Sequence, residues 1–181
     1  MTQVFEDDGR VEPATLIYAS PVEVSLVRTV EKDGYSAVQV RSGSLLREFR
    51  PKNRKDDVSF FKIGDTLDIT QFVPGDVVSI SGTSKSKGFQ GGVKRHGFKG
   101  ASKTHGTKHA HRQPGSISGI GRGGGGGVHK GKRMAGRMGG ERVTVAKLKV
   151  LRVMPAEHIL AVGGAIPGNR KGTLEVSGVT K

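Results

Sequence analysis

The chain has 181 residues with no cysteine and no tryptophan, and its 30 Lys+Arg against 16 Asp+Glu leave a formal net charge of +14. The lack of cysteine excludes disulfide frameworks, thiol nucleophiles, redox CxxC pairs and cysteine-ligated zinc. An excess of positive charge on this scale directs a chain toward polyanions, nucleic acid ahead of an acidic membrane surface. No apolar run approaches the roughly 20 residues that span a bilayer. The acidic start Met1-Thr2-Gln3-Val4-Phe5-Glu6-Asp7-Asp8 lacks both the basic and the apolar parts of a signal peptide, so a cytoplasmic, soluble protein is the expectation.

In chain order, Ala14–Ala19 is a short apolar run between Pro13 and Pro21. Val22, Val24 and Leu26 then alternate with Glu23 and Ser25, the period of a half-buried strand. Asp33-Gly34 marks a turn before a strand over Tyr35–Val40. Arg47–Phe61 reads as a short helical excursion broken by Pro51. Strands are expected at Thr66–Thr70 and Val77–Ser81, separated by the turn signal Pro74-Gly75. Far downstream, Arg142–Met154 is a Val-rich run that slips phase between Val145 and Leu148 and again at Val150-Leu151, as a bulged, bent strand would. Ile159–Val162 and Thr173–Val176 complete the set. The 21 valines against 9 leucines favour strand over helix. Seven or eight short strands at this spacing predict a mainly β fold, a small closed or nearly closed barrel.

Between the two groups of strands lies a different polymer. Residues 82–140 hold 13 Lys+Arg and no acid, whereas the other 122 residues hold 17 Lys+Arg and 16 acids, so +13 of the charge sits in one third of the chain. That third contains 19 of the 29 glycines but only 6 of the 45 Leu, Ile, Val and Phe. At 6 of 59 residues it falls well below the ~20% at which a highly charged segment buries enough surface to fold alone. The expectation is a long Gly/Lys/Arg-rich extended loop that interrupts the barrel and is ordered by an external partner.

Lys85, Lys87, Lys94, Arg95, Lys99, Lys103, Lys108 and Arg112 recur every few residues among glycines and hydroxyls. Cations spread along an extended chain suit a crevice lined by phosphate on several sides, as in folded RNA. Phe89, Phe98, His96, His105, His109, His111 and His129 add flat groups able to stack on unpaired bases. If about nine cations touch phosphate, a fourfold rise in salt weakens binding ~10⁴-fold. The plain alternative is a solvated basic tail, but the segment is internal and more regularly patterned than solubility requires.

Other chemistries find little support. His105-x₃-His109-x-His111 has no acid or thiol near it and thirteen cations around it, which disfavours a metal. Gly119-x-Gly121-x-x-Gly124 matches a dinucleotide fingerprint only in letters, since neither strand precedes it nor helix follows it. Asp56-Asp57 and Asp65/Asp68 lie in turn-like sequence and read as solvated or capping groups. No nucleophile, base and orienting group assemble, so no enzyme is expected. An architectural DNA-binding protein is the alternative from another class, with Phe89 and Phe98 as its few candidate wedges.

Gly82-Thr83-Ser84-Lys85-Ser86-Lys87-Gly88-Phe89-Gln90-Gly91, followed by Lys94-Arg95-His96-Gly97-Phe98, closely resembles the characteristic stretch of the large-subunit ribosomal protein L3 family, in its bacterial form. Further matches occur in order: Met1-Thr2-Gln3-Val4-Phe5, Asp33–Gln39, Leu46–Arg50, Thr104-His105-Gly106, His111–Ile117, Lys130–Gly139, Glu141–Thr144 and Gly164-Ala165-Ile166-Pro167-Gly168. The resemblance spans the whole chain. It implies a β-barrel body of the translation-protein type over 1–81 and 141–181, with a reduced insertion at about 41–62. It implies a basic extension over 82–140 threaded into large-subunit rRNA toward the peptidyl transferase centre. The implied protein takes part in early subunit assembly beside neighbouring large-subunit proteins. No cofactor, metal, membrane or small-molecule substrate is implied. The extension's tip falls around Arg95–Lys103, and Lys130, Lys132, Arg133 and Arg137 form a second rRNA-contacting stretch. Three features depart from the family pattern. Relatives carry a further N-terminal strand ahead of Met1; Arg41-Ser42-Gly43-Ser44 replaces a longer insertion; and Gly123–Gly127 stands where relatives vary more.

Overall fold

The computed structural model describes residues 1–6, 8–51, 58, 60–117 and 127–178. Twelve strands occur among them, and short helical turns account for most of the remaining regular structure, so the fold is mainly β. In chain order the strands are β1 (Thr2–Phe5), β2 (Val11–Tyr18), β3 (Val22–Arg28), β4 (Ala37–Ser42), β5 (Leu45–Phe49), β6 (Thr66–Leu67) and β7 (Val77–Thr83). They continue as β8 (Gly88–Gln90), β9 (Gly136–Met138), β10 (Arg142–Met154), β11 (Ile159–Gly163) and β12 (Leu174–Gly178). Two helices are recognised, α1 (Val30–Asp33) and α2 (Gly92–His96), each a single turn stopped by a glycine in the left-handed region. No helix among the described residues is long and apolar enough to cross a membrane.

The strands form a six-stranded sheet in the order β1-β2-β11-β10-β7-β12, a four-stranded sheet in the order β5-β4-β3-β6, and a separate two-stranded ribbon, β8-β9. Alternating valines account for the four-stranded sheet: Val24, Val38 and Val40 bury one face together with Val58, while Val22, Val27, Phe49 and Leu67 pack at the margin. In the larger sheet Ala14, Ile17, Val78, Ile80, Val150, Leu160, Ala161 and Val162 are buried. The phase slips in β10 are real. Its pairing with β11 shifts register between Val150 and Arg152, and Lys147 sits in the left-handed region at φ 60.

Two expectations are corrected. The sheets of the described residues do not close into a barrel. Closure demands that the terminal strands pair at a fixed shear, whereas β1 and β12 end one sheet, and β5 and β6 end the other. With only two residues, paired as Val22↔Leu67 and Glu23↔Thr66, β6 is too short to carry a seam. The helical excursion expected over Arg47–Phe61 begins instead as β5, joined to β4 through a two-residue turn at Gly43-Ser44, with Ser42 opposite Leu45 and Val38 opposite Phe49. Residues 52–57 and 59 of that stretch, with Asp56-Asp57, lie outside the described residues. So do Gly119, Gly121 and Gly124 of the glycine motif, Arg122, and all of Gly123–Gly127 except Gly127.

Contacts divide the chain into two units. One comprises Met1–Ile80, Val145–Ile166 and Glu175–Lys181; the other comprises Ser81–Thr144 and Pro167–Leu174.

Candidate nucleic-acid interface

The second unit is built from hydrogen bonds and close glycine contacts. At its root the Ser81 and Thr144 hydroxyls bond each other at 2.7 Å. Gly82 is buried so closely that a Cβ there would stand 2.7 Å from Leu174 Cδ2 and 3.3 Å from Pro167 Cγ. The two chain segments then run side by side. The Ser84 N–H donates to the Glu141 carbonyl at 2.9 Å, Gly140 N–H to the Ser84 carbonyl at 3.1 Å, and Lys87 N–H to the Met138 carbonyl at 2.9 Å. They enter the β8-β9 ribbon in the register Gly88↔Met138, Phe89↔Arg137 and Gln90↔Gly136. Gly139 is required twice over: its φ is +73, and a Cβ would overlap the Lys85 carbonyl.

Past the ribbon, α2 carries Lys94, Arg95 and His96 in its last turn, where cations oppose the negative end of the peptide dipoles. Arg95 Nη1 donates to the Met134 carbonyl at 2.8 Å, and His96 Nε2 lies 2.9 Å from the same oxygen. A carbonyl only accepts, so the His96 proton is on Nε2. The Phe98 ring stands over Gly92 and tilts 32° to His96 with centroids 5.6 Å apart. The following loop closes on itself: Ala101 N–H donates to the His111 carbonyl, and His111 Nδ1 donates to the Ser102 carbonyl, both at 3.0 Å. Lys108–Arg112 makes a 3-10 turn.

The structure brings the expected residues into this unit but sorts them. Lys85, Lys87, Lys94, Lys99, Lys103, Lys108, Arg112, Lys130, Lys132, Arg133 and Arg137 are exposed, as are His105 and His109. Phe89 is 77% exposed, an aromatic ring left largely open by the described residues. Arg95, His96, Phe98 and His111 are half-buried and engaged internally. What the sequence did not disclose is the Met134 carbonyl as the meeting point of Arg95 and His96, because a backbone acceptor is not encoded by residue type.

No ion pair among the described residues takes a cation from 82–140; the pairs made by Arg10, Arg28, Arg47, Lys149 and His158 lie in the other unit. There Arg28 binds Glu48 at 2.8 Å and Asp33 at 2.6 Å. The hydrogen bond from Arg28 holds the Glu48 carboxyl below its ordinary range, helped by Tyr35, and Glu48 and then Asp33 raise Arg28 in return. Asp65 and Asp68 cap turns, accepting from Lys62 N–H and Ile69 N–H at 2.7 Å each. Several acids of one unit are therefore matched by local partners, while most of the described Lys and Arg side chains of 82–140 are exposed and carry no ion pair. Such a surface can hold phosphate oxygens with its ammonium and guanidinium groups and stack a base on Phe89.

The family model described as ribosomal protein L3 matches residues 54–161. Among curated relatives, the large ribosomal subunit protein uL3 of Geotalea daltonii is 42% identical, over 100% of this chain and 93% of its own length. The proteins of the same name from a Roseiflexus species and from Thermomicrobium roseum are each 45% identical, over 97% of this chain and 91% and 89% of theirs. With identity at this level running the length of the chain, through both the sheets and the acid-free segment, the chain belongs to the ribosomal protein L3 family.

Proposed function

We propose that this chain is a structural, non-catalytic component of the large ribosomal subunit that binds large-subunit rRNA through residues 82–140. Its two sheets serve as the body, over 1–81 and 141–181. One observation carries the reading: 59 consecutive residues hold thirteen cations and no acid, and none of the described cations there is ion-paired. None of the described apolar side chains among these residues is in the buried core. A surface of this kind is complete only against a polyanion. The names of its relatives support the large subunit of the ribosome as the place where that polyanion is met. The ribosome of the cytoplasm is then its location, and neighbouring subunit proteins are its further partners. In this reading the extension reaches toward the peptidyl transferase centre and joins the subunit early in its assembly.

Binding of the purified full-length chain to a structured large-subunit rRNA transcript and to duplex DNA, titrated across salt, tests this. The expected result is a preference for the transcript at moderate salt, with affinity falling steeply as salt rises. Equal affinity for both nucleic acids would replace the reading with an architectural DNA-binding role.

A further inference from the structure

Lys94, Arg95 and His96 are adjacent in α2, where successive side chains diverge by roughly 100° around the axis. They cannot all face one partner. Lys94 is exposed, whereas Arg95 and His96 are half-buried and turn toward a single acceptor, the Met134 carbonyl, 2.8 Å and 2.9 Å away. Two donors occupy the two lone pairs of that oxygen. The Arg95 guanidinium also lies against the backbone of Gly136: a Cβ there would be 2.6 Å from Nη1 and 3.1 Å from Cζ. On the other side the Phe98 ring would meet a Cβ on Gly92 at 2.8 Å, so it covers the helix itself.

We propose that Arg95 and His96 are positioning residues. They join α2 to the segment 134–136 that leads into β9, across 39 positions of sequence for Arg95, and so set the direction of the phosphate-facing cations Lys94 and Lys99. This builds on the rRNA-binding role proposed above. The physical reason is the missing hydrophobic core: where none of the described apolar side chains of 82–140 is buried, charge-assisted hydrogen bonds to a backbone oxygen do the joining. Arg95 is suited to this because its planar fork can donate sideways while lying flat on a glycine, which a lysine ammonium cannot. A side chain at position 136 would push the Arg95 guanidinium off this seat.

The test compares Lys94→Ala, Arg95→Ala, Gly136→Ala and the Arg95→Ala/Gly136→Ala double variant in the full-length chain. Two readouts are taken: hydrogen exchange of the 136–138 amides without RNA, and the salt dependence of binding to a large-subunit rRNA transcript. Arg95→Ala and Gly136→Ala should each speed exchange about tenfold, the value of one hydrogen bond from a charged donor, and the double variant no more than either. Both should weaken RNA binding without changing the salt slope, while Lys94→Ala should leave exchange unchanged and reduce the slope by about 0.7. The proposal is overturned if Arg95→Ala lowers the slope as Lys94→Ala does and leaves exchange at the wild-type rate. Failure of the wild-type chain to prefer the transcript over DNA, with the exchange results intact, would instead remove the rRNA reading and leave the positioning role standing.

Discussion

Val24 has no exposed surface and sits among other valines; Phe89 is 77% exposed and opposite an arginine. The two residues stand for two ways of holding a chain in shape. The sheets around Val24 and Leu160 are organised by burial, which is non-directional and tolerant of exchange among apolar side chains. The segment around Phe89 is organised by single hydrogen bonds and by glycines that allow backbone to touch backbone, so each position is specific and none is backed by a core. The difference separates the two tasks: one region supplies stability, and the other leaves its cations and its aromatic ring available.

The largest effect should come from the first region. Leu160→Ala in β11, at a site 1% exposed, should lower unfolding free energy by about 2–5 kcal/mol in urea denaturation of the full-length chain. Phe89→Ala in the same experiment should stay within about 0.5 kcal/mol, yet weaken rRNA binding by roughly 1–3 kcal/mol if a base stacks there. Comparable destabilisation by the two would erase the contrast. Next in size is Gly139→Ala, where a left-handed φ and the Lys85 carbonyl both oppose a side chain. A local cost of about 1–3 kcal/mol is expected, seen as faster proteolysis within 82–140 while thermal unfolding of the sheets is unchanged. Replacing Lys130, Lys132 and Arg133 together by Ala should reduce the salt slope of rRNA binding by about 2 units and leave stability untouched; a constant slope would mean these side chains miss the phosphates.

The smallest effect concerns pH. Glu48 is held below its ordinary carboxylate range by Arg28, so its contribution to stability is complete above that range and is lost as the pH falls through the lowered value. The side chains are 27% exposed, and the effect is correspondingly modest. Thermal unfolding from neutral to acid pH should fall less steeply in Glu48→Gln than in the parent. Identical acid limbs would show that the pair contributes nothing to folding.

Much of the first region was legible from residue order. The alternation of Val22 and Val24 is found in β3, although a register shift between Val24 and Leu26 brings Val27 rather than Leu26 against the core, and Arg142–Met154 became β10 with an irregularity at each expected slip. These signals are local, since a strand with one buried face must write its period into the sequence. The stretch beginning at Arg47 was misread for the opposite reason. Leu45–Phe49 is a strand because β4 lies beside it, and the turn Gly43-Ser44 was the one local sign of that pairing. Barrel closure was likewise a matter of which strands find partners, something no count of strands decides.

In the basic segment the composition alone determined the chemistry: an acid-free, glycine-rich run of cations with few apolar side chains can be satisfied only by a polyanion, wherever its atoms lie. Net charge and hydrophobic content are sums over residues, and sums are readable without coordinates. Only the tertiary structure decided that Lys94 faces outward while Arg95 and His96 face Met134, and that Gly136 and Gly139 lie under neighbours from distant parts of the chain. A hydrogen bond to a backbone carbonyl depends on distance and angle between groups far apart in sequence. It leaves no periodicity for residue order to display.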